Sequence, residues 1–137
     1  MGRPVVFVDT SAWIALYIAD DQNHDAARAQ WEELIDREAL LVTTNYVIDE
    51  AITTVRAIGG HPLAVKLGEA LFTSRILRRL RIDEALEAEA WEIFKRYHDQ
   101  AFSFTDCTSF AAMRAEGIGM AFAFDRDFLI LGFQVLP

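Results

Sequence analysis

VVFVDTSAWIALY, residues 5–17, opens on four apolar residues, Val5 to Val8, that run without a polar break between Pro4 and the first acid, Asp9. A short, continuous, mostly β-branched run of this kind suits a strand buried on both faces, and such strands belong to parallel sheets covered by helices. A helix beginning at Thr10 would follow at once, with Asp9 in the turn between. The alternation continues downstream. Ala27, Trp31, Leu34 and Ile35 recur at helical spacing up to Arg37, and Ala39 to Val42 reads as a second buried strand. Thr43, Thr44 and Asn45 supply helix-starting side chains ahead of a stripe made by Ile48, Ala51, Ile52 and Val55, which Gly59 and Gly60 stop. His61-Pro62 opens a further helix to about Thr73.

In Ile76 to Ile82, Leu80 and Ile82 share one face and Arg79 and Arg81 the other, the pattern of an edge strand guarded by charge. Asp83 and Glu84 start a helix whose Leu86, Ala90, Ile93, Phe94 and Tyr97 form the clearest helical stripe in the chain. Ser103 or Thr105 caps another, ended by Gly117. Met120 to Phe124, running directly into Asp125, reads as a fourth buried strand, and Phe133 to Leu136 as a fifth. Strands and helices taking turns along the whole chain imply an α/β sandwich with a largely parallel sheet. Ligands of such sheets bind outside the carboxyl ends of the strands, near the point where strand order reverses.

Composition sets the bounds. With 137 residues the chain is expected to be a single domain, residues 1–137, and its 53% hydrophobic and 12% aromatic content excludes intrinsic disorder. One cysteine, Cys107, forms no internal disulfide, which favours a reducing compartment. The start reaches Asp9 before any long apolar stretch, and the runs Ala12 to Ala19 and Phe128 to Pro137 fall far short of the roughly 20 residues of a membrane span. A soluble, cytoplasmic protein is expected. Thirteen basic against 21 acidic residues leave a net charge of −8, so the bare chain repels nucleic acid.

The acids fall where ligands are expected. Asp9 follows the first strand, Asp125 the fourth, Asp106 lies in the first turn of a helix entering from the same edge, and Glu50 lies about one turn into its helix. Each alone has a structural role available: Asp9 as a helix cap, Asp106 as a favourable charge at a helix dipole, Glu50 as a solvated side chain, Asp125 as a turn starter. Gathered together they would repel, and one or more would stay protonated unless a cation intervened. All-oxygen ligands suit Mg²⁺ or Mn²⁺, and no Cys and His pairing argues for zinc.

VVFVDTSAWIALY, the Glu50 of NYVIDEA, FSFTDC around Asp106 and FAFDRDF around Asp125 together resemble the PIN-domain ribonucleases, especially the VapC-type toxins of toxin–antitoxin pairs. The similarity spans essentially the whole chain and includes the order of the acids. It implies a three-layer α/β/α sandwich on a five-stranded, mainly parallel sheet, and Mg²⁺- or Mn²⁺-dependent cleavage of RNA. By resemblance Asp9, Glu50, Asp106 and Asp125 are the metal-site acids, and Thr10 or Ser11 hydrogen-bonds a metal ligand or its water. Asp125 is preferred over Asp127 because it ends the strand, leaving Asp127 to fix the loop; Arg126 touches substrate or balances the acids. An antitoxin and a second copy of the chain are the implied protein partners, meeting the apolar surfaces of the helices Ala26 to Arg37 and Tyr46 to Thr73.

Other readings fit less well. A phosphate-accepting receiver module needs a paired acid beside Asp9, where Val8 stands, and a late lysine, whereas none follows Lys95. An aspartyl phosphatase wants a second acid where Ser11 stands. A catalytically silent PIN-like binding protein does not need the full set of acids. Histidines 24, 61 and 98 are scattered, Cys107 has no histidine near it in sequence, and the arginines from Arg75 to Arg81 read as edge protection or as a basic rim for RNA or an acidic partner.

Overall fold

Residues 2–137 are described by a computed structural model in which strands and helices alternate as expected. The order is β1 (Val5–Val8), α1 (Thr10–Tyr17), α2 (His24–Asp36), β2 (Leu40–Thr44), α3 (Asn45–Gly59), α4 (His61–Thr73), β3 (Leu77–Leu80), α5 (Glu84–Arg96), α6 (Phe104–Glu116), β4 (Met120–Phe122), α7 (Asp127–Ile130) and β5 (Gln134–Leu136). The five strands form one sheet in the order β3-β2-β1-β4-β5, every neighbouring pair parallel. From β1 the chain steps outward to β2 and β3, then crosses back to β4 and outward again to β5. Strand order therefore reverses between β1 and β4, and the crevice of an open α/β sheet forms at their carboxyl ends.

The helices that connect the parallel strands cover both faces of the sheet, giving three layers. Accordingly α1 packs on α2 and α3, α3 on α4, and α5 on α6. The central position of β1 explains its composition: Val6, Phe7 and Val8 are wholly buried, in register with Leu41 of β2 and with Ala121 and Phe122 of β4. Beneath α6 the aromatic core closes around Phe110, whose ring meets Phe128 at 5.0 Å and Phe102 at 5.1 Å, both edge-on. Gly60, at φ 95°, makes the turn between α3 and α4, and Gly117, at φ 68°, ends α6 in the left-handed conformation expected of a glycine cap.

Several boundaries depart from expectation: β2 runs on to Thr44 instead of stopping at Val42, and β3 covers only Leu77–Leu80 of the span Ile76 to Ile82. The fourth strand ends at Phe122, not Phe124: Ala123 N still donates to Leu136 O of β5 at 3.0 Å, but Phe124 N leaves the sheet and donates to Ser11 Oγ at 2.9 Å. Asp125 thus stands on a loop past the strand. After it the chain forms the short helix α7, prepared by Asp127 N donating to Asp125 Oδ1 at 2.8 Å. The edge strand β3 is confirmed, and two of its arginines are held by the fold. Arg78 pairs with Glu116 at 3.0 Å, and Arg79 donates to the carbonyls of Leu71 and Ser74.

Candidate metal centre

Asp9 enters the crevice from β1 and caps α1. Its Oδ2 accepts from Ser11 N at 3.1 Å and from the Ser11 hydroxyl at 2.7 Å, while the same hydroxyl accepts from Phe124 N. Ser11 is therefore a clasp between the end of β1 and the loop that carries Asp125. Asp9 is only 3% exposed, and its carboxyl is pushed up to about 6 by burial, against the Ser11 hydrogen bonds and with a further push from the Asp125 charge. Capping and a role in the cluster coexist in this residue.

Asp106 is the third residue of α6 and completes a capping box. Ser103 N donates to Asp106 Oδ2 at 3.0 Å and Asp106 N to Ser103 Oγ at 3.0 Å. One carboxylate oxygen is thereby tied to the helix end, and Oδ1 is left for the crevice. Burial pushes this carboxyl up to about 7 against the Ser103 bond, and the charges of Asp9, Asp125 and Glu50 add to the rise. Those three charges act on Asp106 because the fold brings their carriers together from β1, the β4–α7 loop and α3.

The tightest group is Asp106, Asp125 and Asp127, whose carboxylates each offer an oxygen within 4.8 Å of the other two. Asp127, expected mainly to fix the loop, therefore joins the acids as well as starting α7. Burial first, then the Asp125 charge and a hydrogen bond with its side chain, raise the Asp127 carboxyl above its ordinary value. The signal for it is the Asp-x-Asp spacing in FAFDRDF, which becomes convergent only when the turn folds. Glu50, half-buried on α3, stands farther out but acts on Asp106 through its charge. Thr10 Oγ1 is buried without a hydrogen-bond partner, one more uncommitted oxygen at the end of β1.

Arg126 is exposed, and among the described residues no ion pair involves it or any of the five acids. The carboxylates face one another without a compensating side-chain cation. Nitrogen and sulfur donors do not enter the group: His24 Nδ1 is spent on Ala15 O, and burial and the Asp106 charge push the Cys107 thiol up to about 11. A close all-oxygen set, crowded enough to hold protons near neutral pH, fits a hard divalent cation. By contrast, a cleft of about 450 Å³ between α3 and α4 is walled by Ile52, Val65 and Phe72 and contains none of these acids.

The sequence profile of the PIN domain matches residues 6–134. Over 134 residues, 97% of this chain and 99% of the relative, the sequence is 39% identical to the 23S rRNA-specific endonuclease VapC20 of Mycobacterium tuberculosis, with the same values in two strains. The crystal structure of that VapC20, a sarcin–ricin loop cleaving toxin, aligns with a TM-score of 0.88 at 38% identity, covering 96% of this chain and 99% of the other. FitAcB from Neisseria gonorrhoeae shares the fold, with a TM-score of 0.69 at 17% identity over 96% of each chain.

Proposed function

The chain belongs to the PIN-domain family, and from that premise we propose that it is a metal-dependent endoribonuclease, the toxin of a toxin–antitoxin pair, directed at the 23S rRNA for which its relative VapC20 is named. The observation that carries this is the gathering of carboxylates, without cations, at the reversal of strand order. In this reading Asp9, Glu50, Asp106 and Asp125 hold Mg²⁺ or Mn²⁺, and Asp127 joins them. A bound ion supplies an activated water and charge compensation for the scissile phosphate.

The chain's own residues do the positioning. Ser11 keeps Asp9 and the Asp125 loop in register, and Ser103 keeps Asp106 in one orientation. Arg126, exposed beside the acids, meets the RNA backbone. Metal loading offsets part of the −8 charge that otherwise repels RNA. The α3–α4 cleft, with Val65 46% and Phe72 60% exposed, is a face for a protein partner, the antitoxin or a second copy in a homodimer. Among the described residues no helix is long and apolar enough to cross a membrane, and the cytoplasm is the compartment that holds both ribosomes and antitoxin.

The test is cleavage-site mapping on total cellular RNA with the wild type and Asp106→Asn. Discrete cuts in 23S rRNA are expected from the wild type with Mg²⁺ or Mn²⁺, and a loss of at least about a hundredfold on substitution or chelation. Undiminished cleavage in excess chelator overturns the proposal.

A further inference from the structure

The C-terminal half of α5 presents an exposed aromatic pair outside the buried core. Trp91 is 51% and Phe94 40% exposed, yet their rings are stacked, 5.6 Å apart and inclined by only 11°. They wall a cleft of about 300 Å³ whose other sides include Lys95, His98, Gln100 and Phe102. Two flat apolar faces, an amide able to donate and accept, and a flexible cation form the equipment that binds a nucleobase and its phosphate.

Position and charge both favour RNA as the occupant. A row of neighbouring rings leads from the cleft toward the elements that carry the acids: Phe94 meets Phe104 edge-on at 6.4 Å, Phe104 meets Tyr46 at 6.1 Å, and these last two lie two residues before Asp106 and four before Glu50. Charge is divided along α5. Glu84, Glu87, Glu89 and Glu92 occupy its earlier turns, whereas the charged or titratable side chains that line the cleft are Lys95 and His98, with Asp99 next in sequence outside it. Lys95 Nζ stands 6.0 Å from the Trp91 ring centre, and its other partner is Glu92 in an exposed pair, a weak restraint that leaves the ammonium free to turn to a phosphate. The α3–α4 cleft also carries Arg56 and His61, but its exposed Phe72 has no stacked aromatic partner among the described residues and is set among Ile52, Ala64 and Val65, which suits a protein surface instead.

We propose that the cleft at the end of α5 is a nucleobase site, which takes one unpaired base of the RNA on the Trp91–Phe94 pair while the acid cluster engages the phosphodiester. This rests on the ribonuclease function proposed above. It adds a source of affinity that does not depend on positive charge, which an acidic chain otherwise lacks.

The experiment measures binding on the uncleaving Asp106→Asn background in Mg²⁺, with poly(A) and an abasic ribose–phosphate polymer of equal length as probes. Trp91→Ala is expected to weaken poly(A) binding about tenfold, to leave the abasic polymer unaffected, and to be largely rescued in Trp91→Phe. Unchanged poly(A) affinity overturns the proposal, as does an equal loss on both polymers. If Trp91→Ala instead lowers the oligomeric mass in sedimentation equilibrium and binds poly(A) normally, the cleft is a contact with a second copy and the proposal is overturned. If Trp91→Ala does not fold, Trp91→Leu carries the same comparison. Wild-type cleavage of RNA is scored separately: its absence overturns the ribonuclease function and leaves the binding comparison intact.

Discussion

Ser11 shows how one hydroxyl can hold a charged crevice together. It donates to Asp9 Oδ2 and accepts from Phe124 N, so removing it leaves a half-buried amide unpartnered and takes from Asp9 a bond that favours its charged form. An unsatisfied amide costs about 1–3 kcal/mol, the lower end applying where water reaches it. Ser11→Ala is therefore expected to lower stability by about 1–2 kcal/mol in urea melts and to weaken Mn²⁺ binding in calorimetry, whereas Ser11→Thr keeps the hydroxyl and most of both. Unaltered Mn²⁺ affinity in Ser11→Ala would show that the clasp does not organise the acids. Asp9 and Asp106 stood out in the sequence because one follows a strand and the other opens a helix, whereas Glu50 lies a turn into α3 and Asp125 on a loop past β4. The clasp was not legible there, since Ser11 and Phe124 are 113 residues apart and nothing local in either motif announces the partner. Asp127 lay between the two cases, visible as a second acid but convergent only through the turn that Asp125 Oδ1 makes with its amide.

At the scale of elements, long amphipathic stripes and punctuating residues set boundaries that the fold reproduces. The glycines after Val55 mark the break between α3 and α4, and Ser103 and Gly117 bracket α6. Gly60 adopts φ 95°, where an L side chain is strained even though an added Cβ meets nothing closer than Pro62 Cδ at 3.9 Å. The expected effect of Gly60→Ala is thus conformational, a destabilisation of about 1–2 kcal/mol in denaturant melts, with Mn²⁺ affinity unchanged because Glu50 lies near the other end of α3. A loss of metal affinity in that variant would mean that the α3–α4 turn governs where Glu50 stands. Short elements were harder to read. Phe122, Ala123 and Phe124 are equally strand-like in composition, and β4 stops where it does because, after the contact of Ala123 N with Leu136 O of β5, the Phe124 amide turns to Ser11 Oγ. The four residues of α7 carry no periodicity long enough to distinguish a helix from a turn.

For the whole molecule, the acid cluster ties stability to pH and to metal. Asp9 and Asp106 have an ordinary value of 3.8, but in the folded chain they titrate near 6 and near 7 because burial and neighbouring charges disfavour their ionised forms. Between those values the folded protein holds protons that the unfolded chain has released, so its stability must fall as pH rises through the window. Stabilisation relative to the charged state is fully present below about 3.8 for these two groups and gone once pH passes about 7. The loss is on the order of a few kcal/mol. The net charge of −8 acts in the same direction, since deprotonation adds repulsion to a chain already rich in acids. Chelated protein is expected to melt in urea at a clearly lower concentration at roughly pH 8 than at roughly pH 5, and saturating Mn²⁺ is expected to shrink that difference by stabilising the folded, ionised cluster. Asp106→Asn supplies the internal control: it removes a charge yet retains an oxygen able to accept from Ser103 N, so the chelated variant should be more stable than wild type at the higher pH and gain less from Mn²⁺. Stability that rises from pH 5 to pH 8 in chelator, or an equal Mn²⁺ gain in both proteins, would mean that the carboxylates do not form one electrostatic unit.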